Sequence, residues 1–344
     1  MIRIATYNVE WFASLFDKED KLIFDHSWSG RTDVTKSQQI DALGHVFQTV
    51  DADAFMIIEA PNTGRKQNTV NALEGFAQHF GLRQSRALTG FTNQTQQEIA
   101  LLYDPDIIDA EHTPLGDETG EGELSENARF DGQFHIDLDI DARPDRIVFS
   151  KPPLETRVTP RGHDPITLIG VHAKSKAPHG AENRADEIRI QIENRRKQLA
   201  QSIWIRERVD QFLELGHPLI VLGDFNDGPG LDTYEKLFGQ SSVEIVLGLA
   251  DDTSRQLYDP HAMLALAPRS FTLPTTARFY QYETKSYLNA LLDYIMVSPD
   301  LKPKGRWQIW HPFDDPVCFQ DEVLRKALLT ASDHFPVSLD LDLG

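Results

Sequence analysis

The run Leu219-Ile-Val-Leu-Gly-Asp-Phe-Asn226 constrains the fold most, because an apolar, glycine-ended stretch stops abruptly at two polar side chains one residue apart. In an extended chain residues i and i+2 share a face, so Asp224 and Asn226 are delivered side by side at the tip of a buried strand. The same layout recurs in Ile2-Arg-Ile-Ala-Thr-Tyr-Asn8, in Ala54-Phe-Met-Ile-Ile-Glu59 and in Ile166-Thr-Leu-Ile-Gly-Val-His172. Ser332-Asp-His334 opens the strand-like Phe335 to Leu341. Strand ends repeatedly carry groups that bind metals or move protons.

The rest of the chain is read around those strands. Further strand-like runs lie at 98–103, 146–150 and 292–297, with helical periodicity between some of them. Ile40, Leu43, Phe47 and Val50 share a face behind a Thr35-x-x-Gln38 capping box, and Val70, Leu73, Ala77 and Phe80 repeat the pattern before Gly81. The longest expected helix, about Asn183 to Leu215, has an apolar stripe of Ile188, Ile192, Leu199, Ile203, Val209 and Phe212, with most of its arginines expected in solvent. Polar tips are scattered from Asn8 to His334 and no Pro/Gly/Ser linker divides the chain, so one domain over 1–344 is expected, with insertions near 104–142 and 255–290. Mixed strands and helices with continuous apolar strands predict an α/β (α+β) fold of two packed sheets flanked by helices.

Composition narrows the class. With 40% hydrophobic and 25% charged residues the sequence is that of a soluble globular protein, and no apolar stretch is long enough to span a bilayer. The lone Cys318 excludes an internal disulfide and a cysteine zinc cluster. A first strand at Ile2 leads us to expect no cleavable signal and a cytoplasmic location, and a monomer is favoured. The net charge of −19 repels a polyanion at long range, but residues 143–208 carry 14 Lys/Arg against 8 Asp/Glu, which draws a phosphate-bearing partner to that segment. Segment 104–126 has nine acids and no Lys or Arg, and its Gly-Asp-Glu-Thr-Gly-Glu-Gly-Glu core, 116–123, reads as a solvated loop.

Taken in order, Tyr7-Asn8, Glu59, Glu98-Ile-Ala-Leu-Leu-Tyr103, His172, Gly223-Asp-Phe-Asn226, Leu292-Asp-Tyr-Ile295 and Ser332-Asp-His334 resemble the motifs of the endonuclease/exonuclease/phosphatase superfamily over nearly the whole chain. The resemblance implies a four-layer, deoxyribonuclease-like sandwich and a metal-dependent phosphoesterase. It assigns Glu59 as principal ligand of Mg2+ or Mn2+, with Asn8 beside it and Asp333 as a further ligand or neighbour. It makes His334 the base, oriented by Asp293, and has Asp224 hold the attacking water. Asn226 donates to a phosphoryl oxygen or holds His172. His172 faces the scissile phosphate, with Glu98 behind it. The chemistry suits these residue types: ester hydrolysis needs a hard cation on the phosphoryl oxygens, a positioned water and a proton acceptor.

Lys174, Lys151 and Arg157 are expected phosphate contacts. The region 269–289, with Arg269, Arg278, Tyr280, Tyr282 and Lys285, is expected to shape the substrate site, and Trp11, Phe12, Trp28, Phe91, Phe271 and Phe279 are aromatic residues that could stack there or sit in the core. One departure concerns the metal glutamate, which the family usually precedes with glutamine; here Ile58 precedes it. Glu10 shares a strand face with Asn8 and is read as a surface glutamate. The His172-Ala-Lys-Ser-Lys176 run is similar to a loop of bacterial nuclease-like members and tips the expected substrate toward DNA or RNA. A small-molecule, phosphoinositide or sphingolipid phosphate ester is the alternative, which the negative net charge favours. A catalytically silent binding module is a third reading, opposed by the intact Glu59, Asp224, Asn226, Asp333 and His334.

Overall fold

Strands that alternate between two apolar faces have to be covered twice, and that requirement sets the layers. The computed structural model describes residues 1–344 apart from 65, 66, 94, 96, 120–122, 124, 126, 138–143, 179, 229, 230, 232–234, 251, 268–272, 282 and 283. The strands of the N-terminal half are β1 (Ile2–Asn8), β2 (Ala54–Ala60), β3 (Arg86–Thr89), β4 (Glu98–Tyr103), β5 (Ile108–His112), β6 (Phe134–Ile136), β7 (Asp145–Ile147), β8 (Leu154–Pro160) and β9 (Ile166–His172). Then come β10 (Leu219–Asp224), β11 (Ala277–Gln281), β12 (Ser286–Ala290), β13 (Asp293–Val297), β14 (Gly305–Ile309) and β15 (Val337–Leu341). The main helices are α1 (Lys36–Val50), α2 (Thr69–Phe80) and α3 (Arg184–Glu214), with shorter α4 (Glu235–Phe238), α5 (Ser242–Leu247), α6 (Pro260–Leu266), α7 (Pro316–Gln320) and α8 (Glu322–Ala331).

One sheet has the order β14-β15-β1-β2-β4-β3 and the other β13-β10-β9-β8-β5. Ile2, Ile4, Met56, Ile58, Ile99 and Leu101 of the first sheet pack against Ile166, Leu168, Ile220, Leu222, Ile295 and Val297 of the second. The opposite faces carry Ala5, Tyr7, Phe55, Ile57, Ala100 and Leu102 toward α1, α2 and α8, and Ile169, Val171, Leu219, Val221 and Tyr294 toward α3 and α5. The result is the expected four-layer sandwich, helices outside and two sheets within. The predicted caps form: Thr35 and Gln38 close a capping box on α1, and Gly81 ends α2 at φ +61°.

Three expectations change. Within the segment read as an insertion near 104–142, Ile108–His112 is β5, the edge strand of the second sheet. Of the run at 146–150 only Ile147 and its predecessors are extended, paired with β6. Along α3 the buried stripe is Trp204, Ile205, Val209 and Phe212 together with Arg195 and Arg208, whose guanidinium groups reach Asp227 at 2.7 Å and Glu155 at 2.5 Å. These arginines serve the interior instead of the solvent, since buried charges persist where a carboxylate meets them.

Candidate active site

The inter-sheet core stripes run out into polar tips. On β10 that face carries Ile220 and Leu222, so Asp224 is the next residue on it. The same alternation puts His172 beyond Leu168 on β9, Asp293 before Ile295 on β13, and Asn8 beyond Ile4 on β1. Asp224 pairs laterally with His172 on one side and Asp293 on the other. Between them Gly223 sits at φ +136°, and a Cβ there would meet the Val171 carbonyl oxygen at 2.1 Å, so glycine is needed for β10 to lie against β9.

Glu59 arrives by a different device. Simple alternation after Ile58 would turn it toward the helices, but the register with β4 shifts between Ile58 and Ala60 and Glu59 takes φ +63°. The bulge re-aims the carboxylate, at a backbone cost on the order of 1–3 kcal/mol. Ala60 returns to the helix-side core.

A cavity of about 380 Å³ collects Asn8, Glu10, Glu59, Lys151, His172, Asp224, Asn226, Asp333 and His334. Asn8 Nδ2 donates to Asp224 Oδ2 at 2.9 Å, and Asn226, in the left-handed region at φ +49°, donates to the same oxygen at 3.1 Å and to the Ala173 carbonyl at 3.1 Å. Asn226 therefore holds Asp224. His334 Nδ1 lies 2.7 Å from Asp293 Oδ2, the expected orienting pair, and Thr276 Oγ1 accepts the Asp293 backbone N–H at 3.0 Å. His172 Nε2 lies 3.9 Å from Glu59 and 3.8 Å from Asp224.

Burial and neighbours split the titrating groups. Burial pushes Glu59 up to about 7 against the pull of Lys151 and His334. Burial likewise raises Asp224 to about 6, with His334 opposing and Asp293 adding to the rise. Burial, then Lys151, hold His172 well below the usual imidazole range, so its ring is neutral. Burial also acts to lower His334, but the charge and hydrogen bond of Asp293, with Asp224 and Asp333, outweigh it and the ring sits well above that range.

An oxygen-seeking cation fits this donor set. Asn8 Oδ1 is buried without a hydrogen-bond partner, and its amide nitrogen is committed to Asp224, which fixes the way the oxygen faces. Among the described residues no three His, Cys, Asp or Glu side chains converge into a cage. Magnesium needs none, because one or two carboxylates, an amide oxygen and retained waters suffice.

Two expected residues stand elsewhere. Arg157 is exposed and ion-paired with Glu111, and it registers with Thr167 at the far end of β9 from His172, about 16 Å along the strand. Glu98 lies on the helix-facing side of β4, accepting from Asn93 Nδ2 at 2.6 Å and the Thr63 N–H at 3.4 Å, so it does not back His172. Lys151 does, its Nζ 3.1 Å from His172 Nδ1. Lys174 is half-buried and does not line the cavity, though its charge acts on Lys151, and its backbone is tied to Gln201 and Gln198. Glu10 is part of the cavity wall and pairs with Arg31, whose Nη1 also lies 3.9 Å from Asp333.

Gln97 was not legible as a site residue. Its amide nitrogen donates to Glu59 Oε2 and its oxygen accepts from Lys151 Nζ. Of the expected substrate-shaping loop, Arg269, Phe271 and Tyr282 lie outside the described residues. Arg278 packs over the Tyr287 ring at 3.8 Å, and Phe279 meets His334 edge-on at 5.5 Å. Phe12 is core, Trp11 and Trp28 are exposed, and Phe91 lies under Arg129. Lys176 reaches Asp227 at 2.6 Å. Among the described residues no helix is long and apolar enough to cross a membrane.

The sequence matches the model of the Endonuclease/Exonuclease/phosphatase family over residues 5–334. Comparison with curated proteins finds no match. Similar solved structures include truncated TDP2 from Caenorhabditis elegans, at 13% identity and a TM-score of 0.50, covering 99% of this chain and 97% of that one. An endonuclease/exonuclease/phosphatase family protein from Bacteroides thetaiotaomicron aligns at 17% identity and a TM-score of 0.50, covering 99% and 98%. At such identities the likeness is one of fold.

Proposed function

This chain belongs to the endonuclease/exonuclease/phosphatase family, and from that premise we propose that it is a divalent-metal-dependent phosphodiesterase hydrolysing DNA or RNA. The observation that carries the reading is the convergence of Asn8, Glu59, His172, Asp224, Asp333 and His334 on one cavity from strands of both sheets. Their order of polarity matters as well. Carboxylates outnumber cations in the wall, so a phosphate enters only with positive charge brought beside it.

Glu59 and the Asn8 amide oxygen would hold Mg2+ or Mn2+, with Asp333 as a further ligand or neighbour. A divalent ion supplies Lewis-acid polarisation of the phosphoryl oxygens and charge neutralisation there. Asp224, fixed by three donors from Asn8 and Asn226, positions the attacking water on one lobe of the cavity. His334, locked by Asp293, would take up the proton that the water loses once a bound cation offsets the Asp224 and Asp333 charges that help keep its ring protonated. Neutral His172 donates a hydrogen bond to a phosphoryl oxygen, and Lys151 beside it neutralises the charge developing toward the leaving oxygen.

The test is hydrolysis of DNA and RNA oligonucleotides by purified protein with Mg2+ or Mn2+ and with chelator, beside chromogenic phosphomonoesters and diesters. Activity on oligonucleotides that chelation removes, and that Asp224→Asn and His334→Ala each lower about 10²- to 10⁴-fold, is expected. Turnover of a small phosphate ester with no nucleic acid cleaved would replace the nuclease reading with the small-ester one, which the net charge of −19 favours.

A further inference from the structure

Trp11 departs from what burial alone would dictate. Its neighbour Phe12 is fully buried in the helix-side core, whereas Trp11 keeps 50% of its surface exposed. Its backbone is left-handed at φ 60°, ψ 21°, a region that side chains with a Cβ seldom occupy and that bulky ones avoid. Outliers of this kind persist where the surroundings over-determine them, and they gather at ligand-binding places.

The surroundings here do so. The indole Nε1 donates to Glu10 Oε1 at 2.9 Å, and the Trp11 carbonyl accepts from Ser14 Oγ at 2.7 Å. Beneath the ring lies Gly30, where a Cβ would come within 2.7 Å of Trp11 Cγ and Cδ2. One edge is pinned and one face rests on backbone, which leaves the other face for a ligand. Trp11 also stands where two cavities meet. It lines the one holding His172, Asp224 and His334, and the adjoining one of about 520 Å³ that contains Glu59, Gln67 and Gln97.

We propose that Trp11 is a stacking platform for a nucleobase adjacent to the scissile phosphate, housed in the cavity it shares with Glu59, Gln67 and Gln97. The proposal rests on the nuclease reading above and names the part of the substrate that the phosphate chemistry leaves unspecified. A rigid, amphipathic indole face suits any base. Beyond the N–H that Gln67 gives to Phe16 and Gln97 to Glu59, each amide has a second N–H, which suits a base's polar edge and which an acyl chain would leave unmet.

Oligonucleotides carrying a tetrahydrofuran abasic unit at successive positions around the cleavage point, tested with wild type, Trp11→Ala and Trp11→Phe, decide the matter. At one position the abasic unit should raise the KM of wild type about tenfold, equivalent to about 1.4 kcal/mol. Trp11→Ala should show the same rise on the intact strand and no further loss on the abasic one, with kcat within about twofold, and Trp11→Phe should recover most of the loss. Equal losses by Trp11→Ala on intact and abasic strands, or none on either, overturn the platform while the nuclease reading stands. If no strand is cleaved, anisotropy of a labelled oligonucleotide separates the two ideas. Tight binding that Trp11→Ala and the abasic unit each weaken keeps the platform and sinks the nuclease, and the absence of such binding sinks both.

Discussion

Replacing Gln97 with leucine removes two contacts at once, the N–H donated to Glu59 and the acceptor for Lys151, in a side chain of similar bulk. A hydrogen bond to a charged group contributes about 1.5–3 kcal/mol, which corresponds to about 10- to 150-fold in an equilibrium constant. Losing a partner behind a metal ligand costs about 10- to 100-fold in affinity in other sites. Two effects of the substitution point the same way here. Glu59 sits on a strained bulge and loses its one side-chain donor among the described residues, while Lys151, freed from Gln97, can swing toward the Glu59 carboxylate and compete with a cation for it. Gln97→Leu is therefore expected to weaken Mn2+ binding about 10- to 100-fold in calorimetric titrations of substrate-free protein, with unchanged circular dichroism. Gln97→Glu keeps an acceptor for Lys151 but faces Glu59 with a second carboxylate, and should give a different pH dependence of binding. An Mn2+ affinity of Gln97→Leu within twofold of wild type would refute the role of this glutamine and, with it, Glu59 as the ligand it orients.

Gly223→Ala forces a Cβ to 2.1 Å from the Val171 carbonyl at φ +136°, so a loss on the order of 3–5 kcal/mol is expected in urea denaturation; a wild-type midpoint would contradict the strand packing. Arg208→Met strands Glu155 without its partner, a buried pair 2.5 Å apart, and should cost about 3–5 kcal/mol, part of which returns in the double variant with Glu155→Leu. Protons compete with the cation for Glu59, whose buried carboxyl is pushed up to about 7; Mn2+ affinity should fall as pH drops below that value and level off above it, and a flat titration from pH ~5.5 to ~8.5 would remove Glu59 as ligand. With Lys151 in the cavity wall and Lys174 the nearby lysine that acts on it, oligonucleotide affinity should follow salt with a log–log slope of only about −1 to −2. A slope steeper than about −4 would mean a basic track outside the cavity.

How much of the site could be read from the chain depended on period-two counting. Asn8, His172, Asp224 and Asp293 were legible because each continues a period-two face whose inter-sheet members are isoleucine, leucine or valine apart from Thr6 and Gly170. Glu98 failed the same count. On β4 the inter-sheet residues are Ile99 and Leu101, so the position that enters the cleft is 97, and Glu98 faces the helices. Glu59 broke the count in the other direction, since its bulge, which no glycine announces, restores an orientation that alternation denies it. The glutamine expected before Glu59 and absent there has a counterpart across the ladder: β4 lies antiparallel to β2, and its Gln97 approaches Glu59 from the neighbouring strand. A one-dimensional motif search cannot find a side chain supplied across a ladder. Strands β5 and β8 were missed for a chemical reason, as β5 alternates charged residues along an edge and β8 buries Glu155 and Thr156.

Charge was misread for a related reason. The excess of Lys and Arg over 143–208 suggested a face for phosphate, yet the fold turns Arg195, Arg206, Arg208 and Lys176 inward and ties exposed Arg157 to Glu111. Arg195 is spent on Asp227, Arg208 on Glu155 and Arg206 on Asp210, while Lys176 joins Asp227. Sequence counts treat each guanidinium as part of the protein's outward field, but one enclosed with a carboxylate contributes almost nothing beyond its pair. What remains at the cleft is Lys151 beside His172, facing a wall of acids, with Lys174 close enough for its charge to act on Lys151. On the proposed function, attraction of a polyanion would be short-ranged and local to the residues proposed to hold the cation, so capture of substrate would depend on the same Glu59 and Asn8 proposed to serve its hydrolysis. Binding and turnover should consequently fall together when the divalent ion is withdrawn.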